Sequence, residues 1–128
     1  DHYAAQMGVT MKKLYDRGIT MHMGAHGNMM GLGAHWEMEL FTHGSFSNYD
    51  AIEIATINGF KHHGLDHILG SIEPGKLADF VIMRDNPLEN IRNTRSIEYV
   101  VKNGVVYSGM DASRIFPNPK PSEKLYFK

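Results

Sequence analysis

The hydrophobic period of this chain changes near residue 70, and that change limits the folds open to it. Before it, apolar residues recur at the three- and four-residue spacing of helices. After it, short β-branched runs alternate with turn residues. A chain ordered in this way is expected to be α+β, helices first and an antiparallel cluster after them.

The first half supplies three helical stretches. In Asp1 to Arg17, Ala4, Met7, Met11, Leu14 and Tyr15 make one apolar stripe, and Gly18 is a natural stop. Gly8 inside that stretch costs about 1 kcal/mol relative to alanine. His35 to Phe41 reads as a short helix. Ser47 opens another, because Ser47 and Asp50 form the S-x-x-D pattern of a capping box. Ile52, Ala55, Thr56, Gly59 and Phe60 then mark its expected buried face, and Gly64 its end. Ile19 to Met23 reads as a lone strand. Gly24 to Gly33 follows as a loop with four glycines in ten positions.

The second half supplies strands. Asp79 to Arg84, Ile97 to Lys102 and Val105 to Ser108 are the candidates. The last two are joined by Asn103-Gly104, the pair that a type I′ hairpin turn prefers. Glu73-Pro74-Gly75-Lys76 marks a further turn. Pro117, Pro119 and Pro121 predict an extended tail without regular structure. Leu125, Tyr126 and Phe127 give that tail an apolar end suited to docking.

Composition removes several functions. With no cysteine there is no disulfide framework, thiolate zinc site or cysteine nucleophile. A net charge of -1 gives no footprint for nucleic acid or an anionic membrane. No apolar run reaches the roughly 18 residues of a membrane span. Asp1 is followed by no basic-then-apolar stretch, so no signal peptide is read. The glycine loop lacks the lysine of a phosphate cradle, and no Gly-x-Ser-x-Gly elbow exists.

Histidine is the unusual component. All eight histidines lie within the first 67 residues. His22 and His26 are four apart, but a strand and loop need not aim them together. His62, His63, Asp66 and His67 resemble a metal tract, yet they follow a helix C-terminus, where cations are favoured, and read as a solvated end. Met21, Met23, Met29 and Met30 flank the glycine loop, as pocket lining or as core filler.

A lone strand without a neighbour is a cost that a complete fold seldom carries, so a piece is expected to be missing. Specific runs support this. Leu69 to Ile91 (LGSIEPGKLADFVIMRDNPLENI) and Ile97 to Tyr107 (IEYVVKNGVVY) resemble the C-terminal signature of the amidohydrolase superfamily. Ala51 to Gly59 (AIEIATING) resembles its final barrel helix. Gly24 to Phe41 (GAHGNMMGLGAHWEMELF) resembles a branch often fused to a β-propeller, with imidazolonepropionase- and prolidase-like relatives. The likeness runs from about Lys12 to Val106.

The resemblance implies a C-terminal fragment of a metal-dependent (β/α)8 hydrolase with a small β-sandwich beside the barrel. Such a barrel takes about 250 residues. On that map residues 1–69 are the end of the barrel, with Ile19 to Met23 as the eighth strand. Residues 70–110 are sandwich strands, and 111–128 an extended proline-rich tail. The family's His-x-His, lysine and later histidine ligands would lie upstream. The divalent ion, zinc by type, would activate water for attack on an amide or cyclic amide C–N bond. The fragment alone would be inactive.

At the end of the eighth strand the family carries an aspartate. Here Gly24-Ala25-His26 places His26 there, as catalytic base or metal ligand. A neutral imidazole can do either but cannot supply a carboxylate's charge. The bland reading is a polar loop residue. His35, Trp36 and Glu37 would wall the substrate pocket or orient His26; the bland reading is helix packing. The expected substrate is a small molecule or peptide-like, with no nucleic acid and no membrane partner. Relatives suggest the periplasm or secretion. The rival reading is a non-catalytic module that associates with itself, since surfaces meant for the missing barrel would leave apolar patches. A third is an unrelated metal site of His26, His35 and the 62–67 cluster.

Overall fold

The computed structural model describes residues 2–26, 29 and 31–123. The Leu125 to Phe127 end, the side chain of His2 and the site of Met30 lie outside what is described.

The helical half contains α1 (His2–Tyr15), α2 (Leu32–His43), α3 (Asn48–Ala55) and α4 (Ile57–His62). No helix among the described residues is long and apolar enough to cross a membrane. Helix α2 begins three residues earlier than its apolar spacing suggests, behind Gly31 at φ 81°. Only glycine reaches that backbone region without strain. Helix α3 starts as its sequence dictates. The Ser47 Oγ accepts from the Asp50 amide, and the Asp50 carboxylate accepts from the Ser47 amide, both at 3.0 Å.

The expected single helix from Ser47 to Gly64 is broken at Thr56, which sits at φ -129° and ψ -99°. The Thr56 hydroxyl donates to the Ile52 carbonyl at 2.7 Å. Such back-bonding competes with the helical ladder and bends it. The buried face also differs from the expected one. Ala51, Ile54 and Asn58 are buried, whereas Ile52, Ala55, Gly59 and Phe60 are half-buried and Thr56 is exposed. Two overlapping stripes compete on this segment, and packing against α2 selects the first.

The helical core is Met38, Phe41, Phe46, Ala51 and Ile54, joined by Ile91 from the second half. Phe46 packs edge-on against Tyr15 and Phe41, with ring centroids 5.4 and 5.2 Å apart. Met21 and Met23 pack against this core, so two of the four loop methionines act as filler. The segment Ile19 to Met23 is not a strand: residues 19–26 carry no regular structure. A strand exists through its ladder, and every described strand pairs within the second half.

That half forms one antiparallel sheet in the order β1 (Phe80–Met83), β2 (Ile97–Lys102), β3 (Val105–Ser108), β4 (Arg114–Phe116). Asn103 and Gly104 both take positive φ, 48° and 76°, as a type I′ turn requires. Asp79, just before β1, binds the Lys102 ammonium and the Asn103 amide, which ties the turn to its neighbour. These two contacts, the lysine first, hold the Asp79 carboxyl below its usual pKa. The Glu73–Lys76 turn forms, with Gly75 at φ 95°. The tail is more ordered than its prolines suggest. Arg114–Phe116 pairs with β3, and Arg114 bridges back to Lys120. Proline restricts φ and removes a donor only at its own position, so the residues before Pro117 remain free to pair.

Candidate functional site

The two halves meet where α2 faces a single 3-10 turn, Ile91–Arg95, between β1 and β2. Asn90 opens this turn by accepting from the Arg92 amide at 3.1 Å. Ile91 and Thr94 are buried beneath it. Opposite them, Glu39 of α2 binds Arg92 at 3.1 Å and also pairs with Arg95. Asn48 adds a bond to the Leu88 carbonyl at 2.8 Å.

The three consecutive residues His35, Trp36 and Glu37 leave α2 in different directions, because successive helical side chains are about 100° apart. His35 turns to the 3-10 turn, its Nδ1 2.9 Å from the Thr94 Oγ1. Burial, and after it the Arg95 guanidinium, lower its pKa from the usual 6.5, against the pull of Glu39. Glu37 turns the other way, and its Oε1 accepts from the Gly24 amide at 3.1 Å. Trp36 is 43% exposed, in a row with the exposed Leu32 and Leu40 one turn to either side.

His26 is exposed on the loop after Gly24. Glu37 therefore holds the backbone two residues before His26, with a carboxylate oxygen committed to a peptide amide. Beside it, a cavity of about 220 Å³ lies between α1 and α2, lined by Met7, Gly8, Met11, Glu37, Leu40 and Phe41. It is apolar except for Glu37, the one sequence candidate among its described lining residues. Nothing in the sequence pointed to this cavity, because its walls come from two helices read separately.

Three of the remaining histidines lie in a row. The His22 ring lies against His62, centroids 4.7 Å apart, and His62 against His63 at 5.2 Å. His62, His63 and His67 are exposed, His62 at the end of α4 and the other two in the turns that follow it. Among the described residues no three His, Asp or Glu side chains converge in a way that could hold a metal ion. A catalytic zinc takes three protein ligands, so the described residues do not by themselves fit such an ion.

Comparison with known proteins places these features in a family. The profile of the amidohydrolase family matches residues 3–107, most of the chain. Guanine deaminase of Escherichia coli (strain K12) is 43% identical over 58 residues, which are 44% of this chain and 13% of that protein. An adenine deaminase of Desulforamulus reducens is 50% identical over 54 residues, 42% of this chain and 8% of that protein. Among solved structures, a Xaa-Pro dipeptidase with methionine bound in its active site superposes with a TM-score of 0.71 at 30% identity. That overlap covers 81% of this chain and 26% of the dipeptidase chain. The chain thus spans about a quarter of that structure and far less of the two deaminases.

Proposed function

The chain belongs to the amidohydrolase family, and on that premise we propose that it is the C-terminal portion of a metal-dependent hydrolase acting on a C–N bond. The observation that carries this reading is the family match over residues 3–107. The names of the relatives agree with the reaction type, since deaminases and a dipeptidase all act at C–N bonds. The substrate is a small molecule or peptide-like.

In this reading residues 1–69 close a (β/α)8 barrel and 70–110 belong to the accompanying sandwich, whose sheet continues through Arg114–Phe116 before the proline-rich end. Ile19 to Met23 becomes a strand only when barrel neighbours supply its ladder. His26 then sits at the barrel mouth as general base or as one metal ligand, in place of the family's aspartate. Glu37 sets the loop backbone. Because the side chains of His35, Trp36 and Glu37 leave α2 in different directions, they do not form one wall: Glu37 reaches the substrate through the loop of His26, His35 borders it from the side of the 3-10 turn, and Trp36 faces outward. The divalent ion, zinc by type, is held mainly by residues outside this chain, and the 128 residues alone are inactive. Periplasm or secretion is the compartment that the resemblance favours.

The row Leu32, Trp36 and Leu40 supports a second reading. Exposed apolar rows are usually covered. The remainder of the barrel is the first candidate for that cover; for the 128-residue chain by itself, a second copy is the alternative, as a homo-oligomer. Light scattering distinguishes these, since a monomer at high concentration opposes self-association.

The test of function uses the reading frame extended upstream of Asp1. Hydrolysis of dipeptides, cyclic amides or aminopurines, lost with a chelator and reduced by His26→Ala, is the expected result. Metal-dependent hydrolysis by the 128-residue chain alone would overturn the fragment reading. No hydrolysis of any C–N substrate by the extended protein would overturn the activity.

A further inference from the structure

The geometry points to Thr94 as a positioning residue that fixes the ring tautomer of His35, so that His35 offers its Nε2 as an acceptor. The importance of this for catalysis rests on the proposal that His35 borders the substrate; the tautomer itself does not.

Thr94 is 2% exposed, so its hydroxyl finds its partners within the protein. It has two. The Ile91 carbonyl oxygen lies 2.8 Å from Oγ1, and His35 Nδ1 lies 2.9 Å from it. A threonine hydroxyl carries one hydrogen and can also accept. A carbonyl oxygen only accepts, so the hydrogen goes to Ile91. Both contacts are then made at once only if His35 Nδ1–H donates to Oγ1. That places the ring hydrogen on Nδ1 and leaves the lone pair on Nε2.

The surroundings favour the neutral ring. Burial and the Arg95 guanidinium oppose a second proton, and the Glu39 carboxylate, which favours it, is shared with Arg92 and Arg95. At neutral pH the ring therefore accepts at Nε2 and donates only inward. A site histidine of this kind suits a substrate N–H or O–H and does not stabilise a carbonyl oxygen. It also brings the sandwich half into the site, because Thr94 lies 59 residues from His35 in the chain. A hydrogen bond between His and Thr that spans the two halves couples the placement of one to the chemistry of the other.

The experiment is nitrogen-15 NMR of the 128-residue chain labelled at histidine, above the pH range where the ring protonates. The wild-type His35 is expected to show a pyrrole-type Nδ1 and a pyridine-type Nε2, with the Nδ1–H form in roughly tenfold excess. Thr94→Val should release the ring toward the Nε2–H form, and Thr94→Ser should restore the wild-type pattern. An Nε2–H ring in the wild type, or a Thr94→Val ring that stays Nδ1–H, overturns the proposal. If Thr94→Val does not fold, the wild-type and Thr94→Ser spectra still decide it. Activity of His35→Ala in the upstream-extended protein is a separate readout: full activity there would remove the site reading and leave the tautomer result standing.

Discussion

Gly8 of α1 lies against Gly44 at the end of α2, so close that a Cβ built on Gly8 would stand 2.4 Å from the Gly44 Cα. The contact is backbone to backbone, so no rotamer change relieves it. By intrinsic propensity, alanine at Gly8 should stabilise an isolated helix by about 1 kcal/mol. In the folded chain the clash reverses that sign. Gly8→Ala is expected to destabilise by about 1–3 kcal/mol, the usual cost of overpacking. Denaturant unfolding measures it, and a gain in stability would show that the two helices do not approach this closely.

The two stripes on α3 make opposite predictions. Ile54 is 1% exposed in the core, whereas Ile52 is only half-buried. Ile54→Ala should cost about 2–5 kcal/mol, near the full cost of a core truncation. Ile52→Ala should cost clearly less. Equal losses in the unfolding midpoints would return the buried face to the Ile52 stripe.

His35 gives stability a pH dependence of known sign. Its folded pKa lies below the unfolded value of 6.5, first through burial and then through Arg95. Between the two values the unfolded chain binds the extra proton. The contribution is therefore whole above pH 6.5 and falls as pH drops through the folded pKa. The readout is the difference between wild type and His35→Gln, which isolates this one group. The wild type should lose more stability on acidification; parallel curves for the two would contradict the assignment.

Glu37 should govern the loop that carries His26. Its Oε1 takes the Gly24 amide at 3.1 Å, a bond worth about 0.5–1.5 kcal/mol. Glu37→Ala should speed hydrogen exchange at the Gly24 amide by up to about tenfold. Glu37→Gln keeps an acceptor oxygen and should preserve protection. Equal exchange in the wild type and both variants would show the amide to be free.

The features legible in the sequence are those with local causes. Ser47 and Asp50 cap α3 because the partners are three residues apart. Asn103 and Gly104 turn the hairpin because both tolerate positive φ. The strands Ile97–Lys102 and Val105–Ser108 follow from β-branched runs on either side of that turn. The loop of His26 and the α2 motif were visible as a pattern. Thr94, Arg92 and Arg95 were not, because a 3-10 turn has no strong sequence signal and their α2 partners lie more than 50 residues away.

The sequence by itself determined the α+β division, the capping box, the hairpin and the family likeness, since propensity, turn chemistry and motif order act over a few residues. The tertiary structure decided what depends on a distant neighbour. Ile19 to Met23 has strand-like residues but no ladder, because a strand needs a partner to accept its hydrogen bonds. Arg114–Phe116 becomes a strand because β3 presents an edge to it. His35 and Glu37, two residues apart, serve different halves of the fold, because the helix aims them at Thr94 and Gly24. Direction along the chain is local; direction in space is set by what packs there.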